Sequence, residues 1–278
     1  MSDTQNELVE ILNLEQIEQD LYRGLTPARE GRRIYGGQVV AQALTAAYRT
    51  IEGRLCHSMH SYFIRPGDPS IPILFQVDRA RDGGTFSVRR VTAIQNGKQI
   101  FNLAASFQVP EDGFEHQDQA PVVPAPEDLL NEEQLREADG LPPRDRDWPV
   151  EVRPIDPQRH NQTEPMAPLY NVWFKARQSV GPDVAVNQCA LAYGSDMSLL
   201  DASLRPHPVP HGALQVASLD HTLWFHRPSD FSDWHLYVQD SPSASGGRGF
   251  NRGSIFDRQG RLVASATQEA LIRHRPPA

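Results

Sequence analysis

The tetrapeptide Tyr193-Gly194-Ser195-Asp196 sets one carboxylate behind a small hydroxyl residue in an otherwise apolar stretch. A carboxylate so placed can take a proton from water and serve as a general base. On its spacing from Ser195 alone, however, Asp196 reads first as a plain helix cap. An earlier stretch, Tyr35-Gly36-Gly37-Gln38, looks like a worn copy with an amide in place of the acid. Other chemistries are poorly served. No Gly-x-Ser-x-Gly elbow occurs, which argues against a serine hydrolase of the α/β type. His57 and His60 stand three apart, on opposite faces of an expected strand and without an evident third ligand, so no metal site is expected. Cys56 and Cys189 lie far apart in apolar surroundings and read as two buried thiols rather than a disulfide.

The 278 residues carry 27 Lys+Arg against 35 Asp+Glu, a formal net charge of -8, with no basic run. Nucleic acid and anionic membrane surfaces are therefore excluded as expected partners. No apolar run approaches the ~18 residues of a membrane span, and the first residues lack a charged-then-apolar signal pattern. A cytoplasmic location is the expectation, and the final Arg-Pro-Pro-Ala differs from the Ser-Lys-Leu peroxisomal address.

The elements that must position these residues come in two similar blocks. In the first, Val39, Val40, Ala43, Leu44 and Ala47 form an apolar stripe that predicts a helix from Gly36 to about Thr50. Strands are expected over 58–65, 73–80, 86–94 and 99–107, separated by Pro-Gly-Asp, Gly-Gly and Asn-Gly turn signals. The second block repeats the order, with a helix expected from Ser195 to about Leu204 and strands over 214–226, 234–239, 249–256 and 262–272. Phe63-Ile64-Arg65-Pro66 matches Phe225-His226-Arg227-Pro228, and Gly83-Gly84 matches Gly246-Gly247, which implies duplication. The expected division is a unit over 1–110, a Pro-rich acidic linker over 111–165 and a second unit over 166–278. The implied class is α+β, two helix-plus-antiparallel-sheet units joined edge to edge into one continuous sheet.

The stretches GGQVVAQAL, HSMHSYFIRPGD, FSVRRVTAIQNGK, SLDHTLWFHRP, GRGFNRG and ATQEALIR resemble the acyl-CoA thioesterase II family over nearly the whole chain, the linker least. The resemblance implies a double hotdog fold and hydrolysis of fatty acyl-CoA to free acid and coenzyme A, with no metal and no cofactor. It places the family's catalytic aspartate on Asp196, its glutamine on Gln268 and its hydroxyl on Ser218, where the family typically has threonine, with Thr222 as a fallback.

With coenzyme A as part of the substrate, Arg89, Arg90, Arg248 and Arg252 become candidate phosphate ligands, since the guanidinium fork matches phosphate oxygens. Solvated arginines on an outer sheet face are an equal reading for each. His60 and Gly194 complete the candidate substrate-binding set. At the expected start of the second helix Asp196 should have an ordinary or low pKa and be ionised at neutral pH. Trp173, Trp224 and Phe225 are expected to fill the core or line an acyl tunnel. General-base attack by water and direct attack by Asp196 through an anhydride both fit these residues. A non-catalytic acyl-CoA binding protein and a hotdog enoyl-CoA hydratase remain alternatives, although the hydratase pattern Asp-x-Asn-x-x-His is missing. Related proteins associate as dimers or tetramers, so a homo-oligomer is expected.

Overall fold

The computed structural model describes residues 6–27, 33–144, 148–158, 163–209 and 213–274. In chain order the elements are α1 (Glu7–Leu12), β1 (Glu15–Glu18), β2 (Leu21–Gly24), α2 (Gly36–Tyr48), β3 (Leu55–Phe63), β4 (Ile73–Asp82), β5 (Phe86–Gln95) and β6 (Lys98–Gln108). They continue with α3 (Glu132–Ala138), β7 (Val150–Pro154), β8 (Val172–Ala176), α4 (Val184–Ser195), α5 (Asp201–Leu204), β9 (Leu214–Ser218), β10 (Asp220–Phe225), β11 (His235–Ser245), β12 (Arg248–Asp257) and β13 (Leu262–His274). One continuous antiparallel sheet runs β1-β2-β4-β5-β6-β3-β10-β13-β12-β11-β8-β7, with β9 added on β13. This is the double hotdog: each half of the sheet wraps one long helix, and the halves join at β3 and β10.

The pairing of β3 with β10 reveals how the halves are related. Tyr62 lies opposite Asp220, His60 opposite Thr222 and Ser58 opposite Trp224. An offset of 162 maps this set of pairs onto itself, so a local two-fold axis passes through the His60–Thr222 pair. The same operation carries β6 onto β13, and the bulge of β3 at Cys56/Ser58 onto the break between β9 and β10 at Leu219. Alternating strand positions place His60 and Thr222 on the outer face and Met59 and His221 on the inner one.

Turn chemistry appears where the residues demand it. Asn96 (φ 49°) and Gly97 (φ 70°) both adopt the left-handed region of the tight β5–β6 hairpin. α2 is wrapped on nearly all sides, with Val40, Ala43, Leu44 and Ala47 fully buried, and it packs on β4, β5, β6 and α4.

The second helix departs from the expectation. Instead of a helix over 195–204, α4 occupies 184–195 and Asp196 is its C-terminal cap. Asp183 caps its start, accepting from the backbone N–H groups of Ala185 (2.7 Å) and Val186 (3.3 Å). Buried Asn187, Gln188, Cys189, Ala190 and Leu191 surround the helix, so no one-sided apolar stripe marks it in the sequence. Helices α2 and α4 run antiparallel, with Gly37 against Tyr193 at one end and Tyr48 bonded to Gln188 at the other.

The segment expected as linker carries α3 and the edge strand β7. It also covers the outer face of the second half, where Val123 and Leu129 pack on Trp173, Trp234, Leu236 and Phe256, and the Trp173 indole donates to the Pro124 carbonyl (2.9 Å). Trp173 thus belongs to an outer cluster beneath this segment. Phe225 is in the main core, and Trp224 lies edge-on to His60.

Candidate active site

Where the end of α4 meets the start of α2, Asp196, Ser218 and Gln268 converge, drawn from a helix cap, from β9 and from β13. The Ser218 hydroxyl donates to Asp196 Oδ1 (3.2 Å), and Gln268 Nε2 donates to Ser218 Oγ (2.9 Å). The backbone N–H of Gly37 and the Gln268 amide also reach the Asp196 carboxylate. Gly36 and Gly37 permit this approach. A Cβ at 36 would stand 2.7 Å from Asp196 Oδ2, and one at 37 would stand 2.3 Å from the Tyr193 carbonyl oxygen.

Burial pushes the Asp196 carboxyl up to about 7, because desolvation outweighs the stabilising hydrogen bonds from Ser218, Gly37 and Gln268. This corrects the expectation of an ordinary or low pKa. Asp196 ends its own helix, and the helix N-terminus it faces belongs to the other half. The shift from the ordinary 3.8 corresponds to about 4 kcal/mol of cost for holding the charge at neutral pH.

Behind these groups lies a residue that motif reading passes over. His221 is fully buried, its Nδ1 2.7 Å from Gln268 Oε1 and its Nε2 2.9 Å from the Ser195 hydroxyl. Burial lowers its pKa to about 4, so the ring is neutral at pH 7. The carboxylate and Ser218 fix the Gln268 NH2 toward Asp196, which leaves Oε1 toward the ring and requires the His221 proton on Nδ1. His221 thereby sets the orientation of Gln268. Its only signal in the sequence was its position three residues after Ser218, on the face alternate to Thr222.

The structure brings together Asp196, Ser218 and Gln268 but none of the six candidate substrate-binding residues through a side chain. Thr222 points to the outer face, which removes it as the fallback hydroxyl. His60 is exposed on that same face. Gly194 packs against Phe231 and Phe174, where a Cβ would stand 2.7 Å from the Phe231 ring. Arg89 is buried and held by Thr50, the Arg81 carbonyl and Asp82. Arg90 is exposed on β5, while Arg248 pairs with Glu269 (2.8 Å) and Arg252 with Asp240 (2.5 Å). Arg89 is thus a structural cation, and the other three arginines lie on the outer surface. Among the described residues no cluster of His, Cys, Asp or Glu could hold a metal ion.

Residues 144–271 match the family described as Acyl-CoA thioesterase, and residues 26–108 match the family described as Acyl-CoA thioesterase N-terminal domain. The chain is 42% identical over 287 residues to Acyl-CoA thioesterase 2 of Haemophilus influenzae, covering 98% of this chain and 99% of that protein. It is 39% identical to human Acyl-coenzyme A thioesterase 8, over 96% of this chain and 88% of the relative. The crystal structure of the acyl-CoA thioesterase II TesB2 from Mycobacterium marinum superposes with a TM-score of 0.81 at 40% identity, covering 96% of this chain and 98% of that one. Fold and site together define a double hotdog of the thioesterase class. The chain belongs to the acyl-CoA thioesterase II family, and its general activity is that of an acyl-CoA thioester hydrolase.

Proposed function

We propose that the protein hydrolyses fatty acyl-CoA to free fatty acid and coenzyme A, with Asp196 activating the attacking water. The observation that carries this reading is the convergence of three donors, from Ser218, Gly37 and Gln268, on the buried carboxyl of Asp196, which burial pushes up to about 7. A carboxylate there is a far stronger base than an exposed one and is still ionised in half the molecules at neutral pH. Ser218 and the Gln268 amide flank the place where water would sit, one able to accept and both able to donate.

In the step itself Asp196 takes a proton as the water oxygen bonds to the thioester carbon. The carbonyl oxygen becomes negative at the first turn of α2, whose positive end favours a developing anion. Collapse breaks the C–S bond, and Asp196 returns its proton to the departing thiolate. Water activation is favoured over direct attack because the hydrogen bonds from Ser218, Gly37 and Gln268 already occupy the carboxylate oxygens, which blunts them as nucleophiles toward carbon.

Coenzyme A release from acyl-CoAs of several chain lengths, followed with a thiol reagent, tests the reading. Asp196→Asn should lower kcat by about 10²–10⁴-fold while acyl-CoA binding persists. Equal rates in the two proteins would remove Asp196 from the mechanism.

A further inference from the structure

The local two-fold axis gives the Asp196 end of the helix pair a counterpart at the opposite end, where α2 finishes and α4 begins. There the α4 first turn stands for the α2 first turn, and Tyr48 with Arg49 stands for Ser195 with Asp196. By strand register Cys56 replaces Ser218, Met59 replaces His221 and Ala105 replaces Gln268. Tyr48 makes the same reach as Asp196, its hydroxyl accepting from the Cys56 N–H (2.7 Å), as Asp196 accepts from Ser218. The counterpart holds neither base nor amide, so it is blank for hydrolysis.

It is nevertheless open. A cleft of about 430 Å³ lies there, lined by Thr45, Tyr48, Arg49, Arg54, Ala185 and Val186. That volume falls in the range of clefts that take small ligands. Its floor is apolar, with Tyr48, Ile51 and Val186 packed on the core. Two cations stand at it. Arg54 is anchored to the Gly83 and Gly84 carbonyls, and its Nε is buried without a hydrogen-bond partner among the described residues. Arg49 is exposed, and its guanidinium makes no hydrogen bond or ion pair among the described residues. The one acid, Asp183, is occupied in capping α4.

We propose that this cleft is a second ligand site, catalytically silent, for an amphiphilic carboxylate: a fatty acid whose chain lies on Tyr48, Ile51 and Val186 and whose carboxylate meets Arg49. An apolar floor with two cations at the rim suits a molecule with those two parts, and the carboxylate gains a charge-assisted bond that Arg49 otherwise lacks. Binding is noncovalent. The Cys189 thiol in the wall is pushed up to about 12 by burial, which keeps it from acting as a nucleophile. Occupancy at this end is independent of hydrolysis at the other, so an inactive Asp196→Asn protein should bind the acid here as well.

The experiment uses the full-length protein and a decanoate carrying a photoreactive diazirine on its chain, with peptide mapping of the label, alongside calorimetric titration of decanoate. Label is expected on peptides spanning 45–54 and 183–189, besides any at the hydrolytic end. Arg49→Glu should remove that label and weaken the corresponding binding by about tenfold or more, with kcat on acyl-CoA unchanged. Arg49→Ala serves the same purpose without reversed charge. Label confined to other peptides, or unaffected by both Arg49 variants, overturns the proposal. So does competition of the label at 45–54 by coenzyme A but not by unlabelled decanoate, which would make the site one for the nucleotide.

Discussion

Asp196→Asn should change the pH dependence of stability in a way that an aspartate of ordinary pKa would not. In the wild type the carboxyl titrates near 7 folded and near 3.8 unfolded. The folded state therefore holds the extra proton between these values, and stability present below pH 3.8 is lost as pH rises through 7, by about 4 kcal/mol in all. His221 acts oppositely. Its folded value near 4 lies below the ordinary 6.5, so its contribution is present above 6.5 and is lost as pH falls toward 4, by about 3 kcal/mol. Between pH 4 and 6.5 the two nearly cancel in the wild type, whereas the Asn variant keeps only the histidine. Asp201, also pushed up to about 7 by burial, is common to both proteins and drops out of their difference. Urea titrations at pH 5, 6, 7 and 8 should show the variant gaining on the wild type by about 3 kcal/mol across that range. Over the same range wild-type kcat should rise to a plateau with a midpoint near 7. A stability difference that stays constant within about 1 kcal/mol from pH 5 to 8 would refute the buried, proton-hungry carboxylate.

The positioning role of His221 predicts that His221→Leu lowers kcat at little cost in KM, and that His221→Asn, whose amide nitrogen overlies Nδ1, recovers at least tenfold of the loss; identical kcat in both variants would leave His221 a core residue only. Ser218→Ala removes one donor to Asp196, so kcat should fall about 10–100-fold and the midpoint of the pH–rate profile should move to higher pH, while Ser218→Thr should keep both near wild type. An unmoved midpoint in the alanine variant would break the link from Ser218 to the base. Gly37→Ala sets a Cβ against the Tyr193 carbonyl, a backbone atom that cannot swing aside, and should destabilise by about 1–3 kcal/mol with a loss of activity. Unchanged thermal stability and rate would show that α2 and α4 are not held at this distance.

Strands β3 to β6 and β10 to β13 were legible because their signals are local: the Asn96-Gly97 turn, the paired glycines and β-branched alternation each fix a hairpin without reference to the rest of the chain, whereas β1, β2, β7 and β8 carry no such signal and were not expected. The duplication was legible in the strands for the same reason, with offsets of 162 to 163 that the register reproduces. What failed was the helix. Tyr35-Gly36 begins α2 but Tyr193-Gly194 ends α4, so the likeness of these tetrapeptides joins opposite helix ends, and the residue in the place of Asp196 is the α2 cap Arg49, next to Tyr48, rather than Gln38. Gln38 instead donates to Thr26 Oγ1 (2.9 Å) near the start of α2. Ala105 against Gln268 survives, because cross-strand partners Arg89 and Asn251 stand in the same relation. The arginines misled because paired and solvated guanidinium groups have the same spacing as phosphate ligands. His221 was hidden because its role lies in a network closed by residues 26 and 47 positions away.

That one end of the helix pair keeps a carboxylate and the other a tyrosine follows from what burial costs. An ionised acid buried between the two units is tolerable once, at about 4 kcal/mol, a sizeable share of the 5–15 kcal/mol by which domains are usually stable. A second would double the charge on a fold that gains no further chemistry from a single chain's other end. Tyr48 spans the same gap between helix end and strand, satisfies the Cys56 N–H, and is kept neutral by burial, which raises its pKa far beyond the physiological range. Fusion of the two units into one chain is what permits this, because each end can then change alone. Identical subunits would carry the acid, and its cost, at both ends.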